Sequence, residues 1–270
     1  TSLRLVSPEG IIETGEFPAS AAGPDFNHTL CGSEGSFGFI TEAVVKIHKI
    51  PSQKIYQAAL IPNFGTGREL IRTLIRKEVK LAMARLSDEV ETSMFLMLKK
   101  MLKGNETTLA DKIFDPLKLM NQPCLFIFGL EGDSATINFE LARTIGAITS
   151  LGGVPVGPKP GKKWYQDRFK LPYLRDRLLD MGIASDTFET AGTWKNLRSL
   201  YDQVMDGLSK QFASMKLNYK AFCHISHSYH EGASLYFTFF YAIDFSDPVK
   251  QWWEIKEKCC ELLVENGGTI

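Results

Sequence analysis

Apolar positions recur along this chain of 270 residues in two alternating rhythms. Ile55-Tyr56-Gln57-Ala58-Ala59-Leu60-Ile61 is a short apolar run that predicts a strand. Leu70, Ile71, Leu74 and Ile75 follow at helical spacing and predict an amphipathic helix over 67–77, with a second strand over 81–86. That is one β-α-β unit. The rhythm restarts with a buried strand over 124–130 and a helix over 134–151, which Gly152-Gly153 stops. Farther on, Leu197, Leu200, Val204, Leu208 and Phe212 line one face of a helix that Thr193 is placed to cap. Strands over 222–228 and 234–243 come next, and Asp247-Pro248 opens a last helix ended by Gly267-Gly268. Strands separated by helices, with a late hairpin, predict an α+β fold. Its core is two split β-α-β units sharing one mixed or antiparallel sheet, backed by helices.

Ahead of these elements the pattern is different. Gly32, Gly35 and Gly38 recur every third position with Ser33 and Ser36 between them, and the chain then runs into Phe39-Ile40-Thr41-Glu42-Ala43-Val44-Val45-Lys46-Ile47. The glycines let the backbone turn tightly and offer N–H groups and hydroxyls to a phosphate or pyrophosphate. An ordinary tight loop has the same spacing. The apolar run after it reads as a mostly buried strand. Pro51 ends this region, which places a boundary between 1–52 and 53–270. Val6-Ser7-Pro8-Glu9-Gly10 reads as a turn at the start of the chain, and Gly104-Asn105-Glu106 as a polar loop. Trp252-Trp253 and the 237–241 aromatic run are expected in the core. The nearly all-apolar helix Met94–Met101 suits burial, or grazing contact with a lipid surface.

Charge narrows the partners. Lys plus Arg and Asp plus Glu both number 31, so no global field draws the chain to nucleic acid or to an anionic membrane. The five Cys include no C-x-x-C pair, which indicates neither a zinc site nor a disulfide framework and fits buried thiols in a reducing compartment. No run approaches the roughly 20 apolar residues of a membrane-spanning helix, and the first residues are not a secretory signal. A soluble intracellular protein is expected, and the missing initiator Met suggests a fragment.

The order Gly-Ser-Glu-Gly-Ser-Phe-Gly-Phe-Ile resembles the flavin-contacting segment of FAD-linked oxidases of the vanillyl-alcohol oxidase type. That resemblance makes Glu34, Gly35, Ser36, Phe37, Gly38, Phe39 and Ile40 cofactor-lining, with FAD held mainly by backbone groups. It also makes 1–52 the C-terminal portion of an FAD-binding domain and 53–270 a substrate-binding cap domain. Trp164–Phe169, Leu171–Asp176, Asp186–Ala191, Tyr229–Phe237 and Glu265–Gly268 occur in the order found in alkyldihydroxyacetonephosphate synthases and their close relatives. Nearly the whole chain is covered. Those enzymes exchange the acyl group of acyl-dihydroxyacetone phosphate for a fatty alcohol, with FAD as an electrophilic trap and no net oxidation.

The resemblance then assigns residues. Arg85, within Ala84-Arg85-Leu86, matches an active-site Arg, although a lone strand-end Arg is otherwise a surface ion-pair partner. Arg175, within Tyr173-Leu174-Arg175-Asp176, matches a phosphate-binding Arg, and a guanidinium grips two phosphate oxygens at once. The plain alternative there is an Arg175–Asp176 surface pair. Thr187 stands where the family has a substrate-site Ser. Tyr236, within Leu235-Tyr236-Phe237, matches the acid/base Tyr, a phenol that needs a nearby cation (Arg85, Arg175 or His230) or an oxidised flavin to work near neutrality.

The family's N-terminal Gly-rich loop and its C-terminal His-rich segment are not within these residues, so the chain alone is expected to be inactive. A homodimer, and a peroxisomal or cytoplasmic setting according to source, are compatible with the resemblance. The rival reading is an FAD-dependent 2-hydroxyacid dehydrogenase, which shares Gly-Ser-Glu-Gly but oxidises its substrate. The non-enzyme reading is a dimerisation or regulatory module.

Overall fold

A computed structural model describes residues 2–17, 20–103, 120–170 and 173–270, without the side chains of 98–103. The Gly104–Glu106 loop and Leu171-Pro172 of the Leu171–Asp176 segment lie outside the described residues. The chain divides into two compact units, 1–50 and 51–270.

The first unit is a three-stranded antiparallel sheet in the order β2-β1-β3, built from β1 (Ser2–Ser7), β2 (Gly10–Glu13) and β3 (Phe39–Val44). The expected turn at 6–10 is the hairpin between β1 and β2, with Ser7 opposite Gly10. A short helix, α1 (Phe26–Leu30), is capped by the Asp25 carboxylate, which accepts from the amides of Asn27 and His28. The burial expected of the strand after the Gly-Ser loop is not found. β3 ends at Val44 and is exposed along its length, with Phe39 at 82%. Among the described residues of this unit only Ser2, Leu5 and Leu30 are buried.

The second unit is a seven-stranded antiparallel sheet in the order β7-β4-β6-β5-β9-β10-β8. Its first half runs β4 (Gln53–Ile61), α2 (Phe64–Arg76), β5 (Met83–Ser87), α3 (Glu89–Lys103), β6 (Cys124–Gly132), α4 (Ser134–Ser150) and β7 (Val154–Gly157). Next come α5 (Pro158–Asp167) and α6 (Leu174–Asp180), and then the second half: β8 (Ile183–Thr193), α7 (Leu197–Ser214), β9 (Tyr219–Ser228), β10 (Gly232–Ala242) and α8 (Pro248–Glu265). In each half a later strand inserts between the two strands of a β-α-β unit, β6 between β4 and β5, and β10 between β8 and β9. The expected pair of split units sharing one sheet is therefore present, joined where β5 pairs antiparallel with β9.

Period-2 alternation decides which face each strand residue takes. Ala59, Ile61, Phe126, Phe128, Leu86, Cys223, Ile225, Leu235, Phe237 and Phe239 face the helix layer. There they meet Leu70, Ile71 and Leu74 of α2, Ile148 of α4, Leu200, Val204, Leu208 and Phe212 of α7, and Ile255 and Leu263 of α8. Their neighbours in sequence, among them Tyr56, Arg85, Ser87, His224 and Tyr236, take the opposite face.

Three local expectations need correction. Thr193 does not cap α7. It sits in the sheet opposite Gly232, and the helix starts after Asn196 without a side-chain cap. Residues 183–193 form a full edge strand, although their many polar side chains carry no apolar run. Trp253 is 60% exposed, and only Trp252 is partly buried, donating its indole N–H to Asp186. At α3, Met97 is exposed while Met94, Phe95 and Leu96 are half-buried.

On the face opposite the helix layer, α5 covers β4, with Tyr165 stacked on Tyr56. Gly161 permits this, because a Cβ there would lie 2.9 Å from the Gln57 carbonyl oxygen. Gly161→Val should therefore push α5 off the sheet and destabilise the fold by about 1–3 kcal/mol. Urea unfolding would show this as a lowered midpoint with an unchanged slope, and an unchanged midpoint would refute the packing.

Candidate functional site

From β5 to β8 the face opposite the helix layer carries a row of functional side chains. The register makes the row. Ser87 on β5 lies opposite His224 on β9, His224 lies opposite Tyr236 on β10, and Thr187 on β8 is a diagonal neighbour of Tyr236. Arg85 shares the face of Ser87, two residues earlier in the same strand.

The contacts run continuously. The Tyr236 hydroxyl donates to Thr187 Oγ1 at 3.1 Å, and the His224 ring stacks on the Tyr236 ring with centroids 4.9 Å apart. Arg85 Nη2 lies 2.6 Å from Glu91 Oε1, and His224 Nδ1 lies 3.3 Å from the same oxygen. Arg85 is therefore not a surface ion-pair partner. Its side chain is 12% exposed and that of Glu91 5%.

Glu91 belongs to the first turn of α3, which Asp88 caps by accepting the Glu91 amide N–H. Asp88 also accepts the Cys223 amide N–H and the Tyr201 hydroxyl, so it ties α3 to β9 and α7. Burial pushes the Asp88 carboxyl up to about 7, against the pull of the Glu91 and Cys223 amides. Burial alone would raise Glu91 as well, but the Arg85 guanidinium, joined by His224, overturns this and holds it at about 2. Burial lowers His224 and Arg85 adds to that effect, so the imidazole is neutral near pH 7 although Glu91 pulls the other way. Arg85 Nε, Ser87 Oγ and Glu91 Oε2 are buried with no hydrogen-bond partner among the described residues, and His224 Nδ1 has only the 3.3 Å approach of Glu91 Oε1. Polar atoms left open together in this way mark a place where a ligand or water belongs.

Arg175 is elsewhere. It sits on α6, 65% exposed, with its Nε 3.7 Å from Asp176, and it lines a cleft of about 430 Å³ at the outer edge of β8. Asp186, Trp252 and Lys256 line the same cleft, where Lys256 pairs with Asp186 at 3.0 Å and donates to the Thr187 carbonyl at 2.6 Å. Thr187 thus links the two places, its hydroxyl meeting Tyr236 and its carbonyl meeting Lys256. His230 lies in the β9–β10 turn, where its carbonyl accepts from the Trp194 indole. His224 and Glu91 were not legible as site residues. The only signal for His224 was its alternation with Cys223 and Ile225, and the meeting with Glu91 depends on the β5–β9 pairing.

In the first unit, the Gly-Ser loop has Glu34 at φ +49° and Gly35 at φ +83°, and nothing lies within 4 Å of where a Gly35 Cβ would be. Gly38, at φ +134°, is required sterically, because a Cβ there would lie 2.5 Å from the Val6 carbonyl oxygen. The Ser36 and Gly38 amides are spent within the loop, on the carbonyls of Ser33 and Gly35. Those of Glu34, Gly35 and Phe37 have no partner among the described residues. This segment fits a cofactor gripped by backbone groups, with the exposed Phe37, Phe39 and Ile40 offering apolar surface beside it.

Residues 50–270 match the model for the C-terminal domain of FAD linked oxidases. The whole chain is 30% identical to an alkyldihydroxyacetonephosphate synthase of Trypanosoma brucei brucei, covering 44% of that protein. It is 31% identical to one of Dictyostelium discoideum, covering 45%. A solved alkyldihydroxyacetonephosphate synthase superposes on the whole chain with a TM-score of 0.81 at 28% identity, and 48% of that structure is covered. The chain therefore spans under half the length of the curated relatives it matches. Among the described residues no helix is long and apolar enough to cross a membrane.

Proposed function

We propose, on the premise that this chain belongs to the FAD-linked oxidases through their C-terminal domain, that it forms the substrate-binding part of an alkylglycerone-phosphate synthase. The reaction is exchange of the acyl group of acyl-dihydroxyacetone phosphate for a fatty alcohol. The observation that carries this reading is the row Arg85–His224–Tyr236–Thr187 on one sheet face, in a chain similar over its full length to synthases of that name.

Acting as the phenolate, Tyr236 Oη takes the proton from the carbon beside the ketone, and its hydrogen bond with Thr187 Oγ1 holds that oxygen in place. Arg85 supplies a fixed positive charge close to the row, where negative charge grows as the proton leaves. Its pairing with Glu91 aligns the guanidinium and leaves Nε open. Arg175, held only by an exposed 3.7 Å ion pair with Asp176, is suited to the substrate phosphate, which two guanidinium N–H groups grip together. FAD, when bound along Glu34 to Ile40, supplies the electrophilic chemistry of the exchange.

The experiment is incubation of the FAD-loaded protein carrying this chain with palmitoyl-dihydroxyacetone phosphate and labelled hexadecanol. Labelled ether formed without bleaching of the flavin is the expected result. Bleaching by a 2-hydroxyacid, without ether, would replace this reading with the dehydrogenase one.

A further inference from the structure

Glu91 and His224 lie beside Arg85 and Tyr236 with no part assigned so far in moving the proton. One carboxylate oxygen, Glu91 Oε1, is 2.6 Å from Arg85 Nη2 and 3.3 Å from His224 Nδ1. Glu91 and His224 are buried and Arg85 is mostly so, and the imidazole stacks on the Tyr236 ring at 22° between planes. An unprotonated Nδ1 at that distance would set its lone pair against the carboxylate where both groups are buried, which electrostatics disfavours strongly. A neutral imidazole carries one N–H, so a proton on Nδ1 leaves Nε2 bare. Nε2 has no partner among the described residues.

We propose that Glu91 is a positioning residue that sets two neighbours at once, aligning the Arg85 guanidinium and holding neutral His224 as the Nδ1–H tautomer with Nε2 as a free acceptor beside Tyr236. The stacking keeps His224 on the same face as Tyr236, where its bare nitrogen is a second station for a proton taken up there. The orienting logic is that of a carboxylate fixing an imidazole, with the second nitrogen left for chemistry. Asp88 makes the arrangement rigid by capping the helix that carries Glu91.

The station for Tyr236 rests on the function proposed above, but the tautomer does not, since it is measured without substrate. The protein is labelled with 15N-histidine, and the His224 ring signals are assigned by their absence from His224→Gln. At pH 7 the wild-type protein should show Nδ1 protonated and Nε2 unprotonated. In the double variant Arg85→Met with Glu91→Leu, which exchanges the buried ion pair for apolar groups and so preserves folding, the proton should move to Nε2. A wild-type ring protonated on Nε2, or a tautomer unchanged in the double variant, overturns the proposal whatever the substrate proves to be.

Discussion

Tyr236→Phe is expected to lower kcat for alkyl exchange by about 10²–10⁴-fold, the usual contribution of a positioned proton-transfer group. The change removes one hydroxyl and keeps the ring, so stacking on His224 survives and only the 3.1 Å bond to Thr187 is lost. Thr187 is half-buried and its hydroxyl can turn to water, so stability should move by about 1 kcal/mol. KM should barely change, since the phenol is assigned to proton transfer and the phosphate to Arg175. Steady-state kinetics with labelled alcohol separates these terms. A Tyr236→Phe protein with wild-type kcat would remove the phenol from the chemistry.

Arg85→Met should cost about 3 kcal/mol of folding stability at pH 7, and the loss should depend on pH in a defined direction. Glu91 titrates at about 2 in the folded chain against an ordinary 4.5, and each unit of that difference is worth about 1.4 kcal/mol. A depressed carboxyl contributes stability that is complete above its unfolded value and is lost as pH falls through the folded one. The gap between wild type and Arg85→Met should therefore close as pH falls towards 2 and keep widening past pH 4.5, because without Arg85 burial alone raises Glu91. Burial of both partners makes the pair matter here. Arg175 and Asp176, both largely exposed, should contribute almost nothing when separated. Urea midpoints for the two proteins across that range provide the measurement, and a gap of constant size would contradict the origin of the effect.

Much of the fold was legible because its signals are local. The 67–77 helix pattern, the 124–130 apolar run and the Asp247-Pro248 start appear as α2, β6 and α8 within a few residues. β8 was not legible, because on one face it shows Ser185, Thr187 and Glu189, and eleven residues with that composition become a strand only by pairing along β10. Thr193 misled for the same reason, its cap-like context being overridden by the ladder to Gly232. Phe39 and Ile40 read as buried from hydrophobicity alone, which reports what a side chain avoids and not what is available to cover it.

The site divides similarly. Tyr236 and Thr187 were singled out by resemblance, and the register between β8 and β10 brings their hydroxyls together. His224 and Glu91 came to notice only through long-range pairing, as no motif links positions 85, 91 and 224. Arg175 was expected to grip the substrate phosphate, and it lines a separate edge cleft that Thr187 and Lys256 connect to the row.

The most direct test of the central claim is a crystal structure of the FAD-loaded protein carrying this chain, with a non-hydrolysable ether analogue of acyl-dihydroxyacetone phosphate. The account predicts the analogue's ketone end over the face bearing Arg85, His224 and Tyr236, with the phenol oxygen within about 3 Å of the carbon-bound position it is to deprotonate. An analogue bound on the helix side of the sheet, or bound with Tyr236 out of reach, would contradict it.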